Sequence, residues 1–205
     1  MRQTILRIAP AIGLPILLVL GACARTEPAR FYLLRPLAGA ELEQPSESDY
    51  IAENAVAIGI EAVELATYLN RPEIATRRGR YQVQFADFDR WAEPLDDNIA
   101  QVLADNLSLL LRSQSVHVFP WLASAHLDYR LSVDVVRFDN EPGEGALLRT
   151  QWALWDGDQR NMLISSKSEY REPLQQWDYE SIAAVNSRLL ASLSRDIAEA
   201  VRDLL

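Results

Sequence analysis

The run Leu127-Asp128-Tyr129-Arg130-Leu131-Ser132-Val133-Asp134-Val135 alternates bulky and polar residues over nine positions. Successive side chains of a strand point to opposite faces, so the pattern predicts an extended segment. Leu127, Tyr129, Leu131, Val133 and Val135 are expected inward, with Asp128, Arg130, Ser132 and Asp134 outward. Two further strand-like runs, 145–155 and 161–171, flank Asp156-Gly157-Asp158, whose glycine is expected to supply the positive φ of a tight hairpin turn. Trp152 and Leu154 share a face of the first run.

Working towards the N-terminus, the spacing changes from two to helical. Leu95, Ile99, Val102, Leu103, Leu107 and Leu110 fall on one stripe, opposite Asp97, Gln101, Asp105, Ser108 and Arg112. Pro94 suits a first helical turn because its missing N–H has no partner there, and Asp96 and Asp97 favour the positive end of the dipole. A second amphipathic helix is expected from about Asp178, burying Ile182, Val185, Leu189, Leu193, Ile197, Val201 and Leu204. Short strands are expected at 30–34, 55–64, 73–77, 81–85 and 115–119, the last ended by Pro120. In 55–64, Val56, Ile58, Ile60 and Ala62 face one way, and Ala55, Ala57 and Gly59 leave a nearly bare face that a helix or another chain can approach. Tyr81, Val83 and Phe85 form an apolar side of their strand. The elements add up to a two-layer α+β fold, a mostly antiparallel or mixed sheet with two amphipathic helices packed on one face.

The chain has 205 residues, 49% hydrophobic and 24% charged, which excludes wholesale disorder and fits one compact domain. Its net charge of −9 repels phosphate backbones and argues against a nucleic-acid partner. The one cysteine, Cys23, rules out an internal disulfide.

That cysteine stands at the end of a distinctive leader. Arg2 and Arg7 precede a mostly apolar run, 8–20, that is too short for a spanning helix of about 20 residues. The run closes on Leu20-Gly21-Ala22-Cys23, which resembles the lipobox of bacterial lipoproteins. Small residues let a peptidase approach the backbone, and the Cys23 thiol is the acyl acceptor. The alternatives are an ordinary signal sequence with a chance cysteine, or a buried free thiol. Acyl chains contribute about 0.8 kcal/mol per buried CH₂, so a multiply acylated chain stays on a membrane. Ala24 follows where an aspartate would resemble an inner-membrane retention signal, so the resemblance implies the outer membrane, facing the periplasm. The organisation expected is a signal peptide over 1–22, a lipidated N-terminus with a first strand and an acidic linker over 23–54, and the α+β domain over 55–205.

Signs of catalysis are sparse. His117 and His126 lack the carboxylate or cysteine spacing of a metal site, and there is no Gly-x-Ser-x-Gly elbow or glycine-rich phosphate loop, so neither metal nor cofactor is expected. Asp87 with Asp89, or Asp96 with Asp97, could furnish paired carboxylates, though loop and helix-start roles suit them better. Denser signatures are Thr67-Tyr68-Leu69-Asn70-Arg71-Pro72 and Trp91-Ala92-Glu93-Pro94-Leu95. Tyr, Arg and Trp combine contact area with a polar handle, which makes Tyr68, Leu69, Arg71, Pro72, Trp91 and Glu93 candidate partner-binding residues. The structural alternative has Trp91 closing the core, Glu93 capping the helix and Arg71 pairing with an acid.

The lipobox, Phe31-Tyr32-Leu33-Leu34, the strand at 56–64, the run from Tyr68 to Arg77, and Trp91-Ala92-Glu93-Pro94-Leu95 before a helix carrying Asn106-Leu107 together resemble the PqiC-like auxiliary lipoproteins of ABC-type transport systems. The likeness is best over residues 30–111. It implies a non-catalytic subunit of an MCE (mammalian cell entry) lipid-transport system, with an MCE-domain protein, its permease and its ATPase as partners. Self-association into a ring is compatible with that role. Competing readings are a periplasmic hydrolase using Asp87 or Asp89 in a concave pocket, and an assembly lipoprotein of another envelope machine.

Overall fold

The alternation at 127–135 extends into a strand longer than expected, β7 (Tyr129–Glu141). It pairs antiparallel with β8 (Gly145–Asp156), which pairs antiparallel with β9 (Met162–Glu172). The structure, a computed structural model, describes residues 27–37, 56–122 and 125–205. The leader, Cys23, Ala55 and nearly all of the expected acidic linker lie outside the described residues.

The other edge of β7 is shared along its length by three parallel neighbours. They are β2 (Ile58–Ile60) at its start, β3 (Glu64–Leu65) at its middle and β4 (Glu73–Arg78) near its end. One branch continues from β2 to the parallel β6 (Val116–Val118). The other runs from β4 through the antiparallel β5 (Gln82–Trp91) to the parallel edge strand β1 (Arg30–Tyr32). This mixed sheet and the helices α1 (Leu95–Leu111) and α2 (Tyr179–Arg202) enclose one core, so the fold is α+β as expected. Ile58, Leu131 and Leu154 from the sheet meet Leu103, Leu189 and Ile197 from the helices, each fully buried. Removing such a side chain from water contributes about 1.5–3 kcal/mol.

Several expectations need correction. The alternation at 55–64 breaks after Ile60: Ala62 is exposed and Val63 takes the buried place, which splits one expected strand into β2 and β3. The bare face at Gly59 is already covered, since a Cβ there would lie 2.6 Å from Leu127 and 3.1 Å from Trp121. It is therefore closed to a partner chain. Tyr81 is exposed in the turn before β5, and Phe85 is exposed on the strand; beyond it the register with β4 shifts between Glu73 and Ala75, and Ala86, Asp89 and Trp91 turn inward. Leu204 is exposed beyond the end of α2. In the β8–β9 loop the left-handed residue is Gln159, not Gly157. Gly157 is required for a different reason: a Cβ there would sit 1.8 Å from the Leu127 carbonyl oxygen.

The helices also hold the chain that follows β1. The backbone N–H groups of Leu34 and Leu37 donate to the Asn98 and Asn106 side chains of α1 at 2.8 and 2.7 Å, and that of Arg35 donates to Ser187 Oγ of α2 at 3.0 Å. Asn106 in turn donates to Ser194 Oγ, joining the two helices. Buried amide and hydroxyl groups normally demand such partners, and here they grip an irregular strap that would otherwise leave its own N–H groups unpaired.

Candidate functional site

The two sequence signatures meet at one corner of the sheet. Thr67–Leu69 forms a 3₁₀ turn, with Leu69 buried in the core and Tyr68 half-buried. From there the chain passes through Arg71 and Pro72 into β4, beside the end of β5. The Trp91 N–H donates to the Pro72 carbonyl at 2.8 Å, and the Ala92 N–H donates to the Tyr32 carbonyl at 2.8 Å. Turn, β1 and the start of α1 are thereby fastened together. Trp91 is only 5% exposed and belongs to the core, whereas Arg71, Pro72 and Glu93 face solvent. Glu93 does not cap α1, whose N-cap position is Pro94 and has no side-chain bond.

Beneath this corner lies a charge cluster. Asp139 of β7 is fully buried and accepts from Tyr68 Oη at 2.9 Å, Arg77 Nε at 2.8 Å and Arg137 Nε at 2.9 Å. Burial, together with the neighbouring Asp139 carboxylate, pushes the Tyr68 phenol up to about 12, so it stays a neutral donor. On the solvent side Arg71 donates from Nε to Glu73 at 2.9 Å and lays its guanidinium 3.7 Å from the centre of the Phe85 ring. That contact explains why Phe85 tolerates exposure. Arg71, Pro72 and Glu93 thus present a fixed, amphipathic surface, with Tyr68, Leu69 and Trp91 holding it from below.

The Asp87/Asp89 pair is not brought together as two free acids. Asp87 is exposed, while Asp89 is 3% exposed and receives Arg30 Nε at 2.7 Å, Arg30 Nη2 at 2.9 Å and Tyr32 Oη at 2.8 Å. The Arg30 hydrogen bond holds the Asp89 carboxyl below its ordinary range, opposite to what a proton donor at neutral pH needs. A carboxyl with a depressed folded pKa stabilises fully above the unfolded value and loses that contribution as pH falls through the folded one. We expect Asp89→Asn to flatten the stability profile below about pH 4 relative to wild type, read by thermal melts across the acid range. Identical slopes would show that the Arg30 pair contributes nothing.

His117 and His126 are both exposed, and among the described residues no group of three or more His, Cys, Asp or Glu residues could hold a metal ion. No helix among the described residues is long and apolar enough to cross a membrane. Sequence reasoning missed the Asp139 cluster and the Asn98 and Asn106 grip. The available signal was the charged parity Arg137, Asp139 and Glu141 continuing beyond the apolar alternation, and two asparagines placed on the apolar side of α1.

The family model of ABC-type transport auxiliary lipoprotein components matches residues 37–198. A crystal structure of an uncharacterised protein aligns with a TM-score of 0.68 at 20% identity, covering 85% of this chain and 99% of its own. Protein XCC0632 from Xanthomonas campestris, of family DUF330, aligns with a TM-score of 0.64 at 17% identity, covering 83% of this chain and 93% of its own. At these identities the likeness shows a common fold. No curated protein matches the chain. The PqiC-like resemblance of the two signatures is upheld by a match over most of the chain: the protein belongs to the family of ABC-type transport auxiliary lipoprotein components, membrane-anchored envelope proteins with an auxiliary role and transport partners.

Proposed function

We propose that the chain is anchored through acylated Cys23 to the periplasmic face of the outer membrane and docks the MCE-domain protein of an intermembrane lipid-transport system. A permease and ATPase elsewhere in that assembly supply the energy, and this subunit performs no chemistry. The docking surface is the corner of Arg71, Pro72 and Glu93, held by Tyr68, Leu69 and Trp91. The observation that carries this reading is the Trp91–Pro72 backbone bond, which unites the two signatures into one rigid exposed feature. Preorganised surfaces lose little conformational entropy on binding, so a corner fastened from three elements is suited to recognition.

Crosslinked co-purification from intact envelopes is expected to recover an MCE-domain protein with the wild-type chain and several-fold less with Arg71→Ala/Glu93→Ala. Both substitutions are solvent-facing, so the fold is preserved. Recovery of components of a different envelope machine, or equal recovery with the double variant, would overturn the docking assignment. Cys23→Ser is expected to move the protein from the membrane fraction to the soluble periplasm. Continued sedimentation with membranes would refute the lipid anchor.

A further inference from the structure

A groove of about 850 Å³ runs between the strap after β1 and the outer side of α2. Its volume lies within the range of roughly 300–1,000 Å³ that small-molecule sites occupy. Phe31, Leu33 and Leu37 line one wall, Ala184 and Ala191 the other, and Glu172 at the end of β9 closes one side. Phe31 is 63% exposed and Leu33 38%, although the strap that carries Leu33 is pinned by side chains of both helices. Large apolar side chains held in water on a pinned backbone are an interaction feature rather than a frayed end.

The charges on the groove run against those of the chain. Arg35, Arg188 and Arg195 line it with Glu172 and Glu180, a local excess of one positive charge in a protein of net −9. Arg188 lies 4.0 Å from Glu172, while Arg35 and Arg195 have no ion pair among the described residues. Guanidinium groups bind phosphate in a bidentate manner, and overall repulsion between an acidic protein and an anionic surface leaves such a local spot as the place where one anionic headgroup is accepted.

Position supplies the source of the ligand. Arg30 stands seven positions beyond Cys23. Seven steps reach about 24 Å at full extension, so an anchor at Cys23 keeps Arg30, where β1 begins, within that distance of the membrane, and the groove starts at the next residue, Phe31. Resting on the anchor proposed above, we infer that this groove binds an anionic phospholipid of the anchoring membrane, its acyl chain against Phe31, Leu33 and Ala184 and its phosphate at Arg188 and Arg195.

The mature full-length chain, reconstituted in phosphatidylcholine vesicles containing a phosphatidylglycerol with a photoactivatable acyl chain, tests this. Cross-links are expected on peptides spanning 31–37 and 184–195. Each arginine near a phosphate is worth about a fivefold change, so Arg188→Gln/Arg195→Gln should lower the yield by tenfold or more. Ala184→Trp, which fills the groove from an exposed position, should lower it comparably without a change in thermal midpoint. Excess soluble glycerol phosphate should leave the yield unaltered, because the apolar wall holds the chain. Labelling spread evenly over the surface, retention of label in both variants, displacement by glycerol phosphate, or cross-links solely to a second copy would each overturn the inference. Cys23→Ser protein mixed with micelles of the same lipid separates the two proposals. Groove labelling with a soluble cell fraction for wild type would sink the anchor alone, and membrane attachment without groove labelling would sink the lipid site alone.

Discussion

Asp139→Asn is expected to destabilise the folded chain by about 3 kcal/mol, because removing one member of a buried ionic cluster strands its partners. The carboxylate is fully buried and is shared by two guanidinium groups and a phenol. Asparagine fills the same space but carries no charge, leaving Arg77, its side chain only 19% exposed, without the Asp139 counter-ion, and Arg137, 23% exposed, with Glu141 at 4.0 Å alone. For a chain of this size the loss corresponds to a fall of roughly 6–12 °C in thermal midpoint. Tyr68→Phe, which deletes one hydrogen bond and no charge, should cost only about 1 kcal/mol. A denaturant titration in which Asp139→Asn shifts the midpoint no more than Tyr68→Phe would show that the arginines turn to water and that the cluster does not hold the corner. If it does hold, the same substitution should weaken capture of the transport partner, since Tyr68 is fixed through Asp139.

The second large effect concerns Gly145, the first residue of β8. Its φ is +89°, and a Cβ there would lie 2.2 Å from the Glu172 carbonyl oxygen and 3.1 Å from its carbon, both backbone atoms. Gly145→Ala therefore combines left-handed strain with the displacement of β9 at the Ala146–Glu172 pair. We expect a loss of about 3 kcal/mol or more, from about 1–2 kcal/mol of strain plus the disturbed ladder. Gly143 is the internal comparison: its φ is +83°, but nothing lies within 4 Å of a Cβ. Gly143→Ala should lose only the strain. Equal losses in urea unfolding would mean that backbone conformation, and not the approach of β9, decides the value.

Local pattern was legible where one face of an element is buried and the other is wet. The helices were readable for that reason: Ile99, Leu103 and Leu107 repeat with the helical period and are fully buried, as are Leu189, Leu193 and Ile197. The same holds for Leu131, Val133 and Val135 of β7. Asp178 was readable as the start of α2 because its side chain accepts from the Ser181 N–H at 2.8 Å, a bond that needs only neighbours in sequence. Reading failed at Phe85, beyond which the register of β5 against β4 shifts and other side chains turn to the core, and at Ala62, where the chain leaves β2 and Val63 takes the buried place. Such a shift depends on the partner strand, and no window of one strand contains it.

The candidate site divides the same way. Tyr68, Arg71 and Trp91 stood out by residue type, but the sequence does not separate Trp91, buried in the core, from Arg71, exposed on a phenylalanine ring. By itself the sequence determined the two helices, the central strand, the α+β class and the family signatures, because each rests on residues close along the chain. Tertiary structure alone decided that Asp139 answers Tyr68 from 71 positions away, that Leu127 and Trp121 cover Gly59, and that the strap lies against α2 to form a groove. Those arrangements arise from pairing between distant segments, where burial and the need to satisfy every enclosed polar group select one geometry that no local preference encodes.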